Sequence, residues 1–257
     1  MSYETLVYQK TEAVGMITIN RPVADNAINM RLAAELSDAC TRINRDEGTK
    51  VIIISGTGDK AFSVGADTNE LSAAANNKQK IWPLSVAAPV AGLRCPVIAA
   101  INGDALGQGL ELALACDLRI AAATARFALA HVASGLIPWD GGTQRLPRLV
   151  GRGKAMEMLL TGELVDAAEA YRIGLVGRVV RWEELIPVAM DMAQTVASKA
   201  SLAVMYAKEA VYNGLDLTLE QGLRLEADLY FLLQTTEDRT EGVKSFLEKK
   251  PPKFRGK

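Results

Sequence analysis

The chain has 257 residues, 49% hydrophobic and 23% charged, the balance of an ordinary globular protein and not of a disordered one. A net charge of −1 gives no electrostatic footprint for nucleic acid or for an anionic membrane. Three widely spaced cysteines, Cys40, Cys95 and Cys116, suggest neither a disulfide framework nor a Cys-x-x-Cys metal site. They fit a reducing compartment. With no basic-then-apolar segment at the N-terminus and no apolar run of spanning length, the expected setting is the cytoplasm.

Leu6 to Gln9 and Gly15 to Asn20 read as two strands joined by a short polar turn, and Arg21-Pro22 ends the second. Over 30–45, Leu32, Leu36, Ala39, Cys40 and Ile43 recur at helical spacing with charges between them. The unbroken apolar run Val51 to Ser55 indicates a buried strand. After a polar turn comes Phe62-Ser-Val-Gly-Ala-Asp67, whose small residues allow a ligand close to the backbone. Asp67 is placed to cap a helix starting near Asn69.

The most informative stretch runs from Ile98 to Asp117. A strand over Val97–Ile101 ends in Asn102-Gly103, glycines follow at 107 and 109, and a helix-forming run begins with Glu111 in its first turn. That order aims free backbone N–H groups and a positive dipole end into the turn. Such a place stabilises a developing oxyanion, and a half-buried carboxylate beside it is a candidate acid or base. An ordinary strand–helix junction with an acid at the helix N-terminus reads the same way on spacing alone.

Leu118–Ala121 is a further strand. The segment Phe127 to Pro147 holds the chain's single histidine, His131, together with Asp140 beside Trp139, and Gly141-Gly142 before Thr143, a plausible helix cap. His131 is either a satisfied core residue or a titrating group placed for chemistry. Alternating strands and helices define an α/β core over 1–181. Residues 182–248 are helical throughout, with breaks near Gly214 and Thr235-Thr236, and make a helical region over 182–257. The basic tail from Lys249 to Lys257 reads as a solvated end.

Gly151-Arg-Gly-Lys154 lacks P-loop spacing, Gly107-Gln-Gly109 lacks the third glycine of a dinucleotide fingerprint, and no nucleophile elbow is present. A single histidine and no Cys/His cluster imply neither metal nor NAD-type cofactor.

Taken in order, Asn20-Arg-Pro22 with Asn26-Ala27, Phe62 to Asp67, Pro96 to Gly103, Gly107-x-Gly-x-Glu-Leu-Ala-x-Ala-Cys-Asp117, Gly135-Leu-Ile-Pro138, Gly141-Gly-Thr-Gln-Arg145, Leu160-Thr-Gly162, Ala170 to Val176 and Lys253-Phe-Arg255 resemble the enoyl-CoA hydratase/isomerase (crotonase) superfamily nearly end to end. The resemblance implies a spiral of β-β-α repeats with a helical C-terminal region that forms trimers, often paired into hexamers. It implies an acyl-CoA thioester substrate, with coenzyme A part of that substrate and no separate cofactor. The thioester oxygen would lie between the N–H groups of Ala66 and Gln108, and the CoA path would run along Ala24, Asn26, Ala27, Ala66, Asp67, Thr68 and Gly107. Gln108 stands where the family usually has Gly or Ala, so its side chain is expected to narrow the pocket or touch the acyl group.

Family hydratases use two glutamates on one water. Glu111 matches the first, and the second position is His131. Next to an ionised Glu111 the imidazole is expected to be protonated at neutral pH, making a base–acid pair. Asp140 lies one position after a catalytic aspartate of some family isomerases and is a third candidate, or else a turn cap. The expected function is hydration of an enoyl-, dienoyl- or cyclic dienoyl-CoA. A double-bond isomerase is the main rival, a thioester or ring hydrolase another, and a non-catalytic CoA- or RNA-binding protein a distant one, since 30–50 carries no basic stripe.

Overall fold

The computed structural model describes residues 3–70, 72 and 84–257. Strands β1 (Leu6–Thr11) and β2 (Val14–Ile19) form an antiparallel hairpin, and Asn29 caps helix α1 (Met30–Asn44) by accepting from the Leu32 N–H. The predicted apolar stripe of α1 is buried in full. β3 (Val51–Gly56) pairs in parallel with β2 and turns into β4 (Ala61–Ser63), after which helix α2 (Ala87–Ala91) leads to β5 (Val97–Ile101). β6 (Asp104–Leu106) follows, then α3 (Gln108–Ala115), β7 (Leu118–Ala122), β8 (Arg126–Ala128) and a 3-10 turn at Ala130–Ser134. Helix α4 (Gly142–Thr161) is kinked at Gly151. β9 (Val165–Asp166), α5 (Ala167–Arg172) and β10 (Arg178–Val180) close the α/β part. The remaining helices are α6 (Trp182–Ala197), α7 (Ser201–Gly214), α8 (Leu219–Gln234) and α9 (Glu237–Glu248).

Two sheets result. The larger has the order β1-β2-β3-β5-β7-β10, and the smaller β4-β6-β8-β9. Each of the pairs β3/β4, β5/β6 and β7/β8 sends its first strand to the large sheet and its second to the small one before a helical segment. This is the β-β-α spiral. The corner is held by Asn102, whose amide donates to Gly58 O and Ala61 O while its oxygen accepts from the Gly56 N–H. The strands of the small sheet were not predicted as such, because two or three residues are too short to show a period of two.

Both faces of β3 are covered, which explains its unbroken apolar run. Ile52 and Ile54 pack into the core beneath α1 and α3, while Val51 and Ile53 meet Leu185, Ala189 and Ala193 of α6. Burying each such aliphatic side chain contributes about 1.5–3 kcal/mol. The all-helical sequence does begin at 182, yet α6 belongs to the core it seals. A boundary at 181 therefore separates sequence character and not packing.

The basic tail is also less free than expected. Asp238 accepts from the Arg255 and Gly256 N–H groups and donates its own N–H to Lys257 O, so the tail lies against the start of α9. Further anchoring comes from Lys208 of α7. Its ammonium donates to Leu93 O, Cys95 O and Asp117 Oδ2, at 2.8, 3.1 and 2.8 Å, and both ion-pair side chains are largely buried. Lys208→Ala removes the counter-ion of the Asp117 carboxylate and leaves it the Val97 N–H, and urea denaturation should show a loss of about 3 kcal/mol. A change within 0.5 kcal/mol, the usual size for a surface substitution, contradicts this anchor.

Candidate active site

β4, β6 and β8 lie side by side and parallel, so their C-terminal ends deliver three segments to one place. After β4 comes Val64-Gly65-Ala66, after β6 comes Gly107 and the start of α3, and after β8 comes Leu129 to His131. Gly107 sits at φ +51°, ψ −126°, a conformation costly for any residue with a Cβ, and its N–H donates to Ala128 O. Gly109 has no room for a side chain, since a Cβ would strike Ser63 O on the neighbouring loop. These contacts set the first turn of α3 directly against the loop after β4.

Two N–H groups in this junction have no acceptor among the described residues. Gly65 N donates to Ser63 Oγ and Asp67 N to Ile28 O, but Ala66 N between them is uncommitted. Gln108 N opens α3, where no preceding turn supplies a carbonyl. Ala66 is exposed, and a Cβ on Gly65 would lie 3.2 Å from Gln108 N, so the two donors belong to adjoining backbones.

Glu111 follows one turn along α3 and is fully buried. Its Oε1 accepts from the N–H groups of Asp140 and Gly142, each at 2.8 Å. Its Oε2 is buried with no hydrogen-bond partner among the described residues. Burial pushes the carboxyl up to about 6, against the pull of the two N–H groups and with a small added push from the Asp140 charge.

His131 Nε2 stands 3.7 Å from that free Oε2. The gap lies within ion-pair range and is too long for a direct hydrogen bond, and a water set to one side of the pair can reach both atoms. The imidazole Nδ1 is buried and unpartnered among the described residues. Burial lowers the ring's pKa from its ordinary 6.5. Against the expected imidazolium at neutral pH stands this desolvation, which favours the neutral ring, while the nearby carboxylate attracts its charged form.

Two other expectations change. The Asp140 carboxylate is taken up by protein donors. It accepts from Ser85 Oγ, from the Val86 and Ala87 N–H groups at 2.9 and 3.0 Å, and from Gln108 Nε2 at 3.3 Å. It therefore caps the start of α2, not its own turn. The Gln108 side chain is likewise engaged within the protein; its Nε2 also donates to Leu84 O, and the residue is buried. Gly141, not Thr143, is the cap of α4.

Along the expected CoA path, Ala24 ends a 3-10 turn and is half-buried, Ala27 is buried, Gly107 is half-buried and Thr68 is exposed. The Asn26 side chain is spent internally, donating to Ala61 O and Thr57 O and accepting from the Arg21 N–H. Asp67 pairs with Arg21 at 2.8 Å and caps Asn69, and the Arg21 contact holds its carboxyl below the usual range. Both residues shape the loop, and neither presents a free side chain. Residues 71 and 73–83, which follow Asp67 and Thr68 in sequence, lie outside the described residues. The N–H donors of 140 and 142 were missed by the sequence reading. The Gly141-Gly142 pair was their only signal, since a Cβ at 142 would sit 3.1 Å from Glu111 Oε1.

A family model described as enoyl-CoA hydratase/isomerase matches residues 9–257. The chain belongs to the enoyl-CoA hydratase/isomerase family. Among relatives of this family member are a crotonyl-CoA hydratase of Syntrophomonas wolfei, 42% identical over 99% of each chain, and an (E)-benzylidenesuccinyl-CoA hydratase of Thauera aromatica, 40% identical over 95% of this chain and 96% of that one. The crystal structure of an enoyl-CoA hydratase from Bacillus anthracis superposes with a TM-score of 0.91 at 39% identity, covering 99% of this chain and 100% of the other.

Because His131 is the sole histidine, its imidazole resonances titrate without overlap. NMR of histidine-labelled enzyme should give a midpoint below 6.5, as burial requires. A midpoint at or above 6.5 means that attraction to Glu111 outweighs desolvation.

Proposed function

We propose that this family member is an acyl-CoA hydratase, a hydro-lyase that reversibly adds water across the double bond of an α,β-unsaturated thioester. The observation that carries the proposal is the unpartnered Glu111 Oε2 facing His131 Nε2 across 3.7 Å, at a junction holding two uncommitted N–H groups. The thioester oxygen binds Ala66 N and Gln108 N, so charge developing there as the enolate forms meets donors already in place. A water held between Glu111 and His131 gives its oxygen to the β-carbon and one proton to the pair, and the pair returns a proton to the α-carbon. The balance needs no oxidant, and coenzyme A enters as part of the substrate. Ala24, Asn26, Ala27, Ala66, Asp67, Thr68 and Gly107 line its path, with Asn26 and Asp67 contributing through the backbone they hold.

One group must accept a proton while the other donates one, so the active pair carries a single shared proton. Glu111 lies at about 6 and His131 below 6.5, so that proton is lost as the pH rises above this range. For crotonyl-CoA hydration, kcat/KM of the free enzyme should fall about tenfold per pH unit above neutrality. A flat profile from pH 6 to 9 contradicts the shared proton.

Glu111→Gln should lower kcat by about 1,000-fold or more, while His131→Glu retains far more activity than His131→Ala, roughly 100-fold. Water incorporation and double-bond position are to be followed together. Migration of the double bond without water incorporation would support the isomerase reading in place of hydration. Leu136, Ile137 and Trp139 are exposed between His131 and Asp140, which supports an apolar acyl group; the name of the Thauera relative supports the same reaction on a bulky one.

The helical C-terminal region supports assembly as a trimer or a pair of trimers. Leu219, Phe231, Phe246 and Leu247 are each more than 60% exposed on α8 and α9, an arrangement suited to burial against other copies. Light scattering should give three or six times the 27.6 kDa chain mass, and a monomer at micromolar concentration contradicts this assembly.

A further inference from the structure

Asp140 is the point where three parts of the site meet. Through its main chain it donates to Glu111 Oε1 at 2.8 Å and accepts from Arg145 Nη1 at 2.9 Å. Through its carboxylate it holds Ser85 Oγ, the N–H groups of Val86 and Ala87, and Gln108 Nε2. Gln108 in turn carries one of the two uncommitted N–H groups and ties its side chain to Leu84 O. Both residues are almost fully buried, at 6% and 4% exposure. A buried carboxylate with four donors around it has little freedom to move.

We propose that Asp140 and Gln108 form a clasp that sets the position of the oxyanion donor at residue 108 relative to the proton-transfer carboxylate of Glu111. Both are positioning residues, acting through the backbone and through Glu111 without touching the substrate. The clasp also ties in the segment at 84–87, so the start of α2 is registered to the reacting groups. The inference rests on the hydratase reading for its catalytic readout. A misplacement of about 1 Å between a donor and a proton-transfer group is enough to cost about 100-fold in rate.

The test is a double-mutant cycle of Asp140→Asn and Gln108→Met, with crotonyl-CoA as substrate and folded fraction measured by circular dichroism. Asn preserves volume but offers one acceptor oxygen where four donors converge. Met keeps the backbone N–H and the side-chain length while removing the amide. Each single variant should lower kcat about 10- to 100-fold, with KM changed less than about threefold. The double variant should lose less than the product of the two, because the residues share one interaction.

The alkaline limb of the pH profile should also move downward in Asp140→Asn, since the like charge near Glu111 is gone. Unchanged kcat per folded molecule in both variants overturns the clasp, as does strict multiplicativity. So does a loss confined to KM.

A second readout separates this inference from the hydratase reading. The carbonyl stretch of bound butyryl-CoA, which has no double bond to hydrate, reports the oxyanion donors directly. It should shift to lower frequency in the wild-type enzyme and less so in either variant. A wild-type enzyme that hydrates no thioester but shows this pattern keeps the clasp and loses the hydratase reading. Equal shifts in all three proteins overturn the clasp even if hydration is observed.

Discussion

The site depends on one constraint: a carboxylate withdrawn from bulk solvent. Glu111 is fully buried in the first turn of α3. Left without donors, such a group would cost several kcal/mol or abandon its charge. The fold answers on one side only. Oε1 receives the N–H groups of Asp140 and Gly142, which fixes the carboxyl plane, while Oε2 is left facing His131. This half-satisfaction makes the group reactive. Full satisfaction would have produced a structural anchor, and none would have produced a neutral acid.

The surrounding architecture follows from that need. The donors at 140 and 142 reach Glu111 only because the loop before α4 is held down, and the Asp140 carboxylate holds it by capping the start of α2. The parallel order β4-β6-β8 brings the loop of Ala66, the helix of Glu111 and the turn of His131 to the same end of the small sheet. Glycines at 107 and 109 let these backbones approach without side chains between them. Behind this sheet, the large one supplies rigidity through a core covered on both faces.

Much of this was legible in the sequence. The apolar stripe of α1, the buried run of β3 and the strand-turn-helix around Gly107 each have a period or punctuation that only one local structure satisfies. The small sheet was not legible, because strands of two or three residues carry no pattern. Glu111 and His131 were readable as candidates, since one acid in an apolar helix start and one histidine in a whole chain stand out. Asp140 and Gln108 were misjudged for a common reason. A residue type announces what chemistry it can do, but whether its polar atoms face a ligand or one another is decided by segments far apart in the chain, here 84–87, 108 and 140. The desolvation that bears on the charge of His131 was out of reach for a related one, as burial is a property of packing.

The central claim is that a thioester oxygen rests on Ala66 N and Gln108 N while a water lies between Glu111 and His131. A crystal structure of the enzyme with butyryl-CoA, at a resolution that defines ordered water, tests it most directly. The thioester oxygen should lie within about 3 Å of both N–H groups, with a water within hydrogen-bond distance of Glu111 Oε2 and His131 Nε2. A thioester oxygen bound elsewhere, or an imidazole turned away to bond only with protein, would contradict it.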